Sequence, residues 1–121
     1  MDKNELLQRT KKFALDSIRL TESLPGTRTA DVIGKQLLRS ATSIGANYRA
    51  ACRGRSKPDF NSKVAIALEE ADESLYWMEI LVESAILPVE RVSTLMKEAN
   101  ELVAIFTASL KTARMNKPLK G

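Results

Sequence analysis

A chain of 121 residues in which 44% of the side chains are apolar can bury one modest core, which excludes a disordered chain and leaves room for a single domain. Nineteen basic residues against fifteen acidic ones leave a net charge of +4, and the absence of histidine with a single cysteine, Cys52, excludes histidine-based nucleophile arrangements, zinc fingers and internal disulfides. No apolar run approaches the roughly 20 residues needed to cross a bilayer, and Met1–Lys12 is too polar for a secretory signal core, so a cytoplasmic protein is expected.

The first predicted helix covers about Asn4–Leu24. Leu6, Phe13, Ser17, Thr21 and Leu24 mark one side, with Leu7, Ala14 and Ile18 beside them. Pro25-Gly26 ends it, because proline disfavours helix in the residue before it and glycine permits a turn.

The second covers about Thr29–Arg53 and is oily on one side and cationic on the other. At about 100° of turn per residue, Ala30, Ile33, Leu37, Ala41, Ile44, Tyr48 and Ala51 share one face. Lys35, Arg39, Arg49 and Arg53 fall within about 80° of one another, roughly opposite. The plain reading is a solvated face; the functional one is a surface for an external polyanion. Gly34 and Gly45 each cost roughly 1 kcal/mol relative to alanine inside a helix, and their places near the apolar face predict close helix packing.

Ser56-Lys57-Pro58-Asp59 opens the third helix, about Lys57–Ile86: serine caps, proline loses nothing in the first turn, and Asp59 can return a bond to the cap. Phe60, Val64, Ala67, Ala71, Leu75, Met78, Leu81 and Ala85 repeat at helical spacing. A second stripe, Ile66, Trp77 and Ile80, lies roughly opposite Val64 and Leu75 among Glu69, Glu70 and Glu73. Three aligned apolar residues, including the only tryptophan, predict an oligomer interface; the plain alternative is a central helix buried on two sides. The carboxylates Glu69, Glu70, Asp72 and Glu73 read as a solvated face, not a cation site.

Pro88 opens the fourth helix, about Pro88–Met115, with Val92, Leu95, Ala99, Leu102, Phe106, Leu110 and Ala113 on one side; 116–121 reads as a flexible tail. Nothing alternates with period two. Four long amphipathic helices with short joints predict an all-α fold, an antiparallel up-down four-helix bundle in one domain over 1–121.

The small net charge hides separated fields. From Lys35 to Lys63 there are seven cations and one carboxylate, Asp59. From Val64 to Leu110 there are nine carboxylates and two cations, Arg91 and Lys97. Lys111, Arg114, Lys117 and Lys120 then close the chain. Phosphate binding depends on local potential, so the separation matters more than the total. There is no Walker loop and no GxGxxG, and no metal, cofactor or catalysis is expected.

The stretch Ser40-Ala-Thr-Ser-Ile-Gly-Ala-Asn-Tyr-Arg49, followed by Arg53-Gly-Arg-Ser56 and Phe60, then by Ile66-Ala-Leu68 and Glu70-Ala-Asp-Glu73, resembles the four-helix-bundle proteins encoded in intervening sequences of bacterial 23S rRNA genes. Accessory variability proteins of diversity-generating retroelements are a more distant branch. The resemblance covers nearly the whole chain and is strongest from Leu37 to Leu81. Ser43, Ile44 and Asn47 match the motif core, and Arg53 and Ser56 its tail. Many members carry an acidic residue just after the core, where this chain has Ala50 and Ala51. The resemblance implies a cytosolic bacterial or phage-like protein, ring-shaped homo-oligomers (pentamers), no catalysis, and binding of nucleic acid or a ribonucleoprotein.

Two functions therefore compete. In the first, an oligomer contacts the backbone of RNA or DNA through Lys35, Arg39, Arg49, Arg53, Arg55 and Lys57. In the second, a protein scaffold pairs its basic and acidic faces between subunits. Few aromatics, 5%, argue against a platform for stacking single strands.

Overall fold

The computed structural model describes residues 1–115, and the tail expected at 116–121 lies outside them. Four helices follow in order: α1 (Lys3–Glu22), α2 (Arg28–Cys52), α3 (Lys57–Glu83) and α4 (Val89–Met115). Each packs on its neighbours in sequence, and α1 closes the ring against α4 over a shorter seam. This is the expected up-down four-helix bundle, with no strand among the described residues. No helix among them is long and apolar enough to cross a membrane.

Three of the helix starts are capped by side chains. Asp2 Oδ1 accepts the Glu5 N–H at 2.8 Å, Thr27 Oγ1 accepts that of Ala30 at 3.2 Å, and Ser56 Oγ that of Asp59 at 3.2 Å. Each satisfies an amide that the helix itself leaves unpaired. The reciprocal bond expected from Asp59 is not made; its carboxylate occupies the space a Cβ at Gly54 would fill.

The core combines large and small residues. Phe13, Leu37, Ile44, Val64, Met78, Leu81, Val92, Leu102 and Phe106 are fully buried. Tyr48 of α2 reaches Phe106 of α4 across the bundle, ring centroids 5.7 Å apart. Burial and the neighbouring Cys52 push the Tyr48 hydroxyl above its ordinary pKa. Ala41, Ala67 and Ala71 are also fully buried, and Ser74 Oγ donates to Ser40 Oγ at 2.9 Å between α2 and α3. Ser40 in turn donates to the Leu37 carbonyl at 3.1 Å, so neither hydroxyl is stranded in the apolar interior.

Of the two glycines of α2, Gly45 sits against α1 and Gly34 against the joint that follows α1. A Cβ at Gly45 would stand 3.2 Å from Thr10 Oγ1, and one at Gly34 would stand 2.7 Å from Leu24 Cδ1. Both therefore serve close packing, as their wheel positions predict.

Two helix ends differ from the sequence expectation. α1 stops at Glu22 rather than Leu24, because Leu24 precedes Pro25 and is driven out of the helical region. α3 stops at Glu83 rather than Ile86. Ala85 takes a left-handed φ of 61°, which lets the Ile86 and Leu87 amides turn back to the Leu81 carbonyl at 3.0 and 3.1 Å. Leu87 is thereby buried, while Ala85 itself faces solvent and leaves the expected apolar stripe.

An alanine in the left-handed region is strained by about 1–2 kcal/mol, partly offset on mutation by the greater freedom of glycine when unfolded. Ala85→Gly is therefore expected to raise the unfolding free energy by about 0.5–1 kcal/mol. Urea unfolding measures it; a loss of stability would contradict the role assigned to this turn.

Candidate nucleic-acid interface

The basic stripe of α2 is divided by its neighbours. Lys35 Nζ lies 3.0 Å from Asp31 Oδ2, one turn earlier on the same helix. Arg39 turns towards α3. Its guanidinium donates to Glu70 Oε2 at 3.1 Å and also binds Glu73. Glu73 in addition accepts the Trp77 indole N–H at 3.2 Å. The expectation that packing leaves the whole stripe unused fails at Arg39, because α3 presents carboxylates to that side of α2. Positions equidistant from the α2–α3 joint face each other in an antiparallel pair, and that mirror relation was the signal for Glu70 and Glu73.

Arg49, Arg53, Arg55 and Lys57 behave differently. All four are exposed, and none has an ion-pair partner among the described residues. Arg49 borders a groove between α1 and α2 that Leu7, Lys11, Ala14, Thr42 and Ala46 also line. Arg53 and Arg55 lie in the joint after α2, and Lys57 begins α3.

The motif residues are engaged within their own helix. Asn47 Nδ2 donates to the Ser43 carbonyl at 2.9 Å and to Ser43 Oγ at 2.8 Å. Ile44 is core and Ser56 is a cap. The acidic cluster is divided too: Glu70 and Glu73 meet Arg39, while Glu69 and Asp72 are exposed. Among the described residues no three His, Cys, Asp or Glu side chains gather as a metal site.

The second stripe of α3 is only partly outward. Ile66 is exposed, but Trp77 and Ile80 are half-buried against the core. α3 touches both α2 and α4, so it buries a wider arc than one stripe. Tyr76, passed over in the sequence, is 52% exposed and meets Trp77 edge-on at 5.1 Å. Across the bundle, Arg9 of α1 holds Glu98 of α4 at 2.9 Å, and that bond raises the arginine pKa further.

A sequence profile of the 23S rRNA-intervening sequence proteins matches residues 2–108. Among solved structures, a protein of unknown function from the S23 ribosomal protein family of Bacteroides thetaiotaomicron superposes with a TM-score of 0.81. It is 33% identical, and the match covers 87% of this chain and 97% of that one. No functionally curated protein matches.

The Arg39 bridge is half-exposed, and exposed ion pairs contribute about 0–1 kcal/mol. Arg39→Ala is therefore expected to lower stability by no more than about 1 kcal/mol and to shift the Trp77 fluorescence through the shared Glu73. Denaturant unfolding followed by tryptophan emission reads both. A drop of several kcal/mol with unchanged emission would contradict this geometry.

Proposed function

The chain belongs to the 23S rRNA-intervening sequence protein family, and from that premise we propose a non-enzymatic, cytoplasmic bundle that binds nucleic acid or a ribonucleoprotein through exposed cations. The observation that carries the reading is the set Arg49, Arg53, Arg55 and Lys57, exposed and without ion-pair partners among the described residues. Lys35 and Arg39 contribute less, because each already has a carboxylate beside it. Such side chains reach phosphates, so binding is sequence-independent and salt-sensitive. With no histidine, the chain also lacks the commonest general base.

Self-association belongs to the same proposal. The outer face of α3, with Ile66 and Tyr76 exposed and Trp77 and Ile80 half-buried, meets a second copy. The family resemblance implies a ring of five. One observation favours the scaffold alternative: Glu69 and Asp72 are exposed on α3 and could pair with the cations of another subunit.

In low salt the wild-type protein is expected to retard RNA or DNA in a native gel. Arg53→Glu combined with Arg55→Glu should weaken all sequences alike and flatten the salt dependence, by roughly 0.7–0.9 in slope for each phosphate that is no longer neutralised. Absence of retardation by the wild type would favour the scaffold. Ile66→Glu, at an exposed site, is expected to shift light scattering towards monomer; a monomeric wild type would overturn the self-association.

A further inference from the structure

The unpaired cations extend beyond α2. Tyr48 and Phe106 are level with each other across the bundle. Five residues further along the chain from each stand Arg53, the cap that ends α2, and Lys111 of α4. Thr10 of α1 is level with Gly45 of α2, and seven residues back towards the same end is Lys3. Lys57 begins α3 just across the joint. Lys3, Arg53, Lys57 and Lys111, one from each corner of the bundle, therefore converge on a single end, with Arg55 between two of them.

All five are exposed and without ion-pair partners among the described residues. Three carboxylates stand at the same end, Asp2, Glu5 and Asp59; Asp2 accepts the Glu5 amide, and the five cations outnumber the three acids. The starts of α1 and α3 and the finishes of α2 and α4 meet at this end. Their backbone dipoles oppose one another, so the formal charges set the field.

We propose that this end of the bundle binds a nucleic-acid double helix, its cations touching phosphates of two strands across one groove. The inference rests on the proposed nucleic-acid function and assigns that function a surface and a ligand form. Spacing favours two strands. With neighbouring helix axes about 8–10 Å apart, opposite corners of the end stand roughly 12–14 Å apart. Long side chains on opposite corners of such an end reach outward to separate strands, which a single strand does not offer. Stacking surfaces are lacking: the exposed Tyr76 sits in the other half of α3, and Phe60 is half-buried. Without an aromatic platform, unpaired bases gain little here. Binding at the end also leaves the outer face of α3 free for a second copy.

The test is fluorescence anisotropy in low salt, with a blunt RNA duplex, a DNA duplex of the same sequence, and each strand alone. Wild-type protein is expected to bind a duplex about tenfold or more tighter than its separate strands, consistent with more phosphates within reach. The RNA and DNA arms show which duplex supplies the groove. Lys3→Gln with Lys111→Gln should lower duplex affinity and reduce the log–log salt slope by about 2. The control Lys12→Gln with Lys97→Gln removes the same charge from the α1–α4 flank and should leave the slope unchanged. Equal binding of strands and duplex would overturn the two-strand geometry, and an unaltered Lys3/Lys111 variant would overturn the end surface. In both cases the nucleic-acid function would stand. A wild type that binds no probe would overturn both proposals.

Discussion

The hydrogen bond between Ser40 and Ser74 holds α2 and α3 in one register. Two small side chains meet there at 2.9 Å inside an apolar core, with Ala41, Ala67 and Ala71 nearby in sequence and equally buried. A slide of one turn along the helix would break this bond, worth about 0.5–1.5 kcal/mol, although each hydroxyl would keep a carbonyl of its own helix, Leu37 for Ser40 and Glu70 for Ser74. It would also set larger residues against a gap shaped for small ones. The same register puts Arg39 opposite Glu70 and Glu73, while Arg53, Arg55 and Lys57 fall at and after the end of α2, away from those carboxylates.

That placement sorts the charges. Halfway along the bundle, basic and acidic residues face each other within one subunit and neutralise: Arg39 with Glu70 and Glu73, Arg9 with Glu98 and Glu101. Near the α2–α3 joint the surrounding residues are mostly basic, and the pairing stops. A chain of net charge +4 thus concentrates positive potential in one place without exceptional composition. Phosphate attraction needs only exposed cations held in place.

Legibility followed the number of neighbours each residue has. The apolar stripe of α2 was readable because its period is strong and it faces the centre of the bundle: Ala30, Ile33, Leu37, Ala41, Ile44, Tyr48 and Ala51 are all buried. The same wheel misplaced Arg39, because a single-helix projection carries no information about which side the next helix occupies. It overstated the exposure of Trp77 and Ile80 for the related reason that α2 and α4 together cover a wider arc of α3 than its main apolar stripe. Ala85 gave no warning, since the residue that usually takes a left-handed φ at a helix end is glycine. Of the candidate cations, Arg49, Arg53, Arg55 and Lys57 stand open as expected, while Lys3 and Lys111 emerge only once the helices are set side by side.

The sorting of charge can be measured residue by residue. Arginine-selective and lysine-selective labelling, read by mass spectrometry with and without nucleic acid, reports how open each cation is and which ones a ligand covers. In the free protein Arg39 should react more slowly than Arg53 and Arg55, since of these three Arg39 alone is held by carboxylates. With nucleic acid present, protection should appear at Arg53, Arg55 and Lys57 and leave Arg39 unchanged. Equal reactivity of the three arginines in the free protein, with protection centred on Arg39, would contradict the division of the basic stripe.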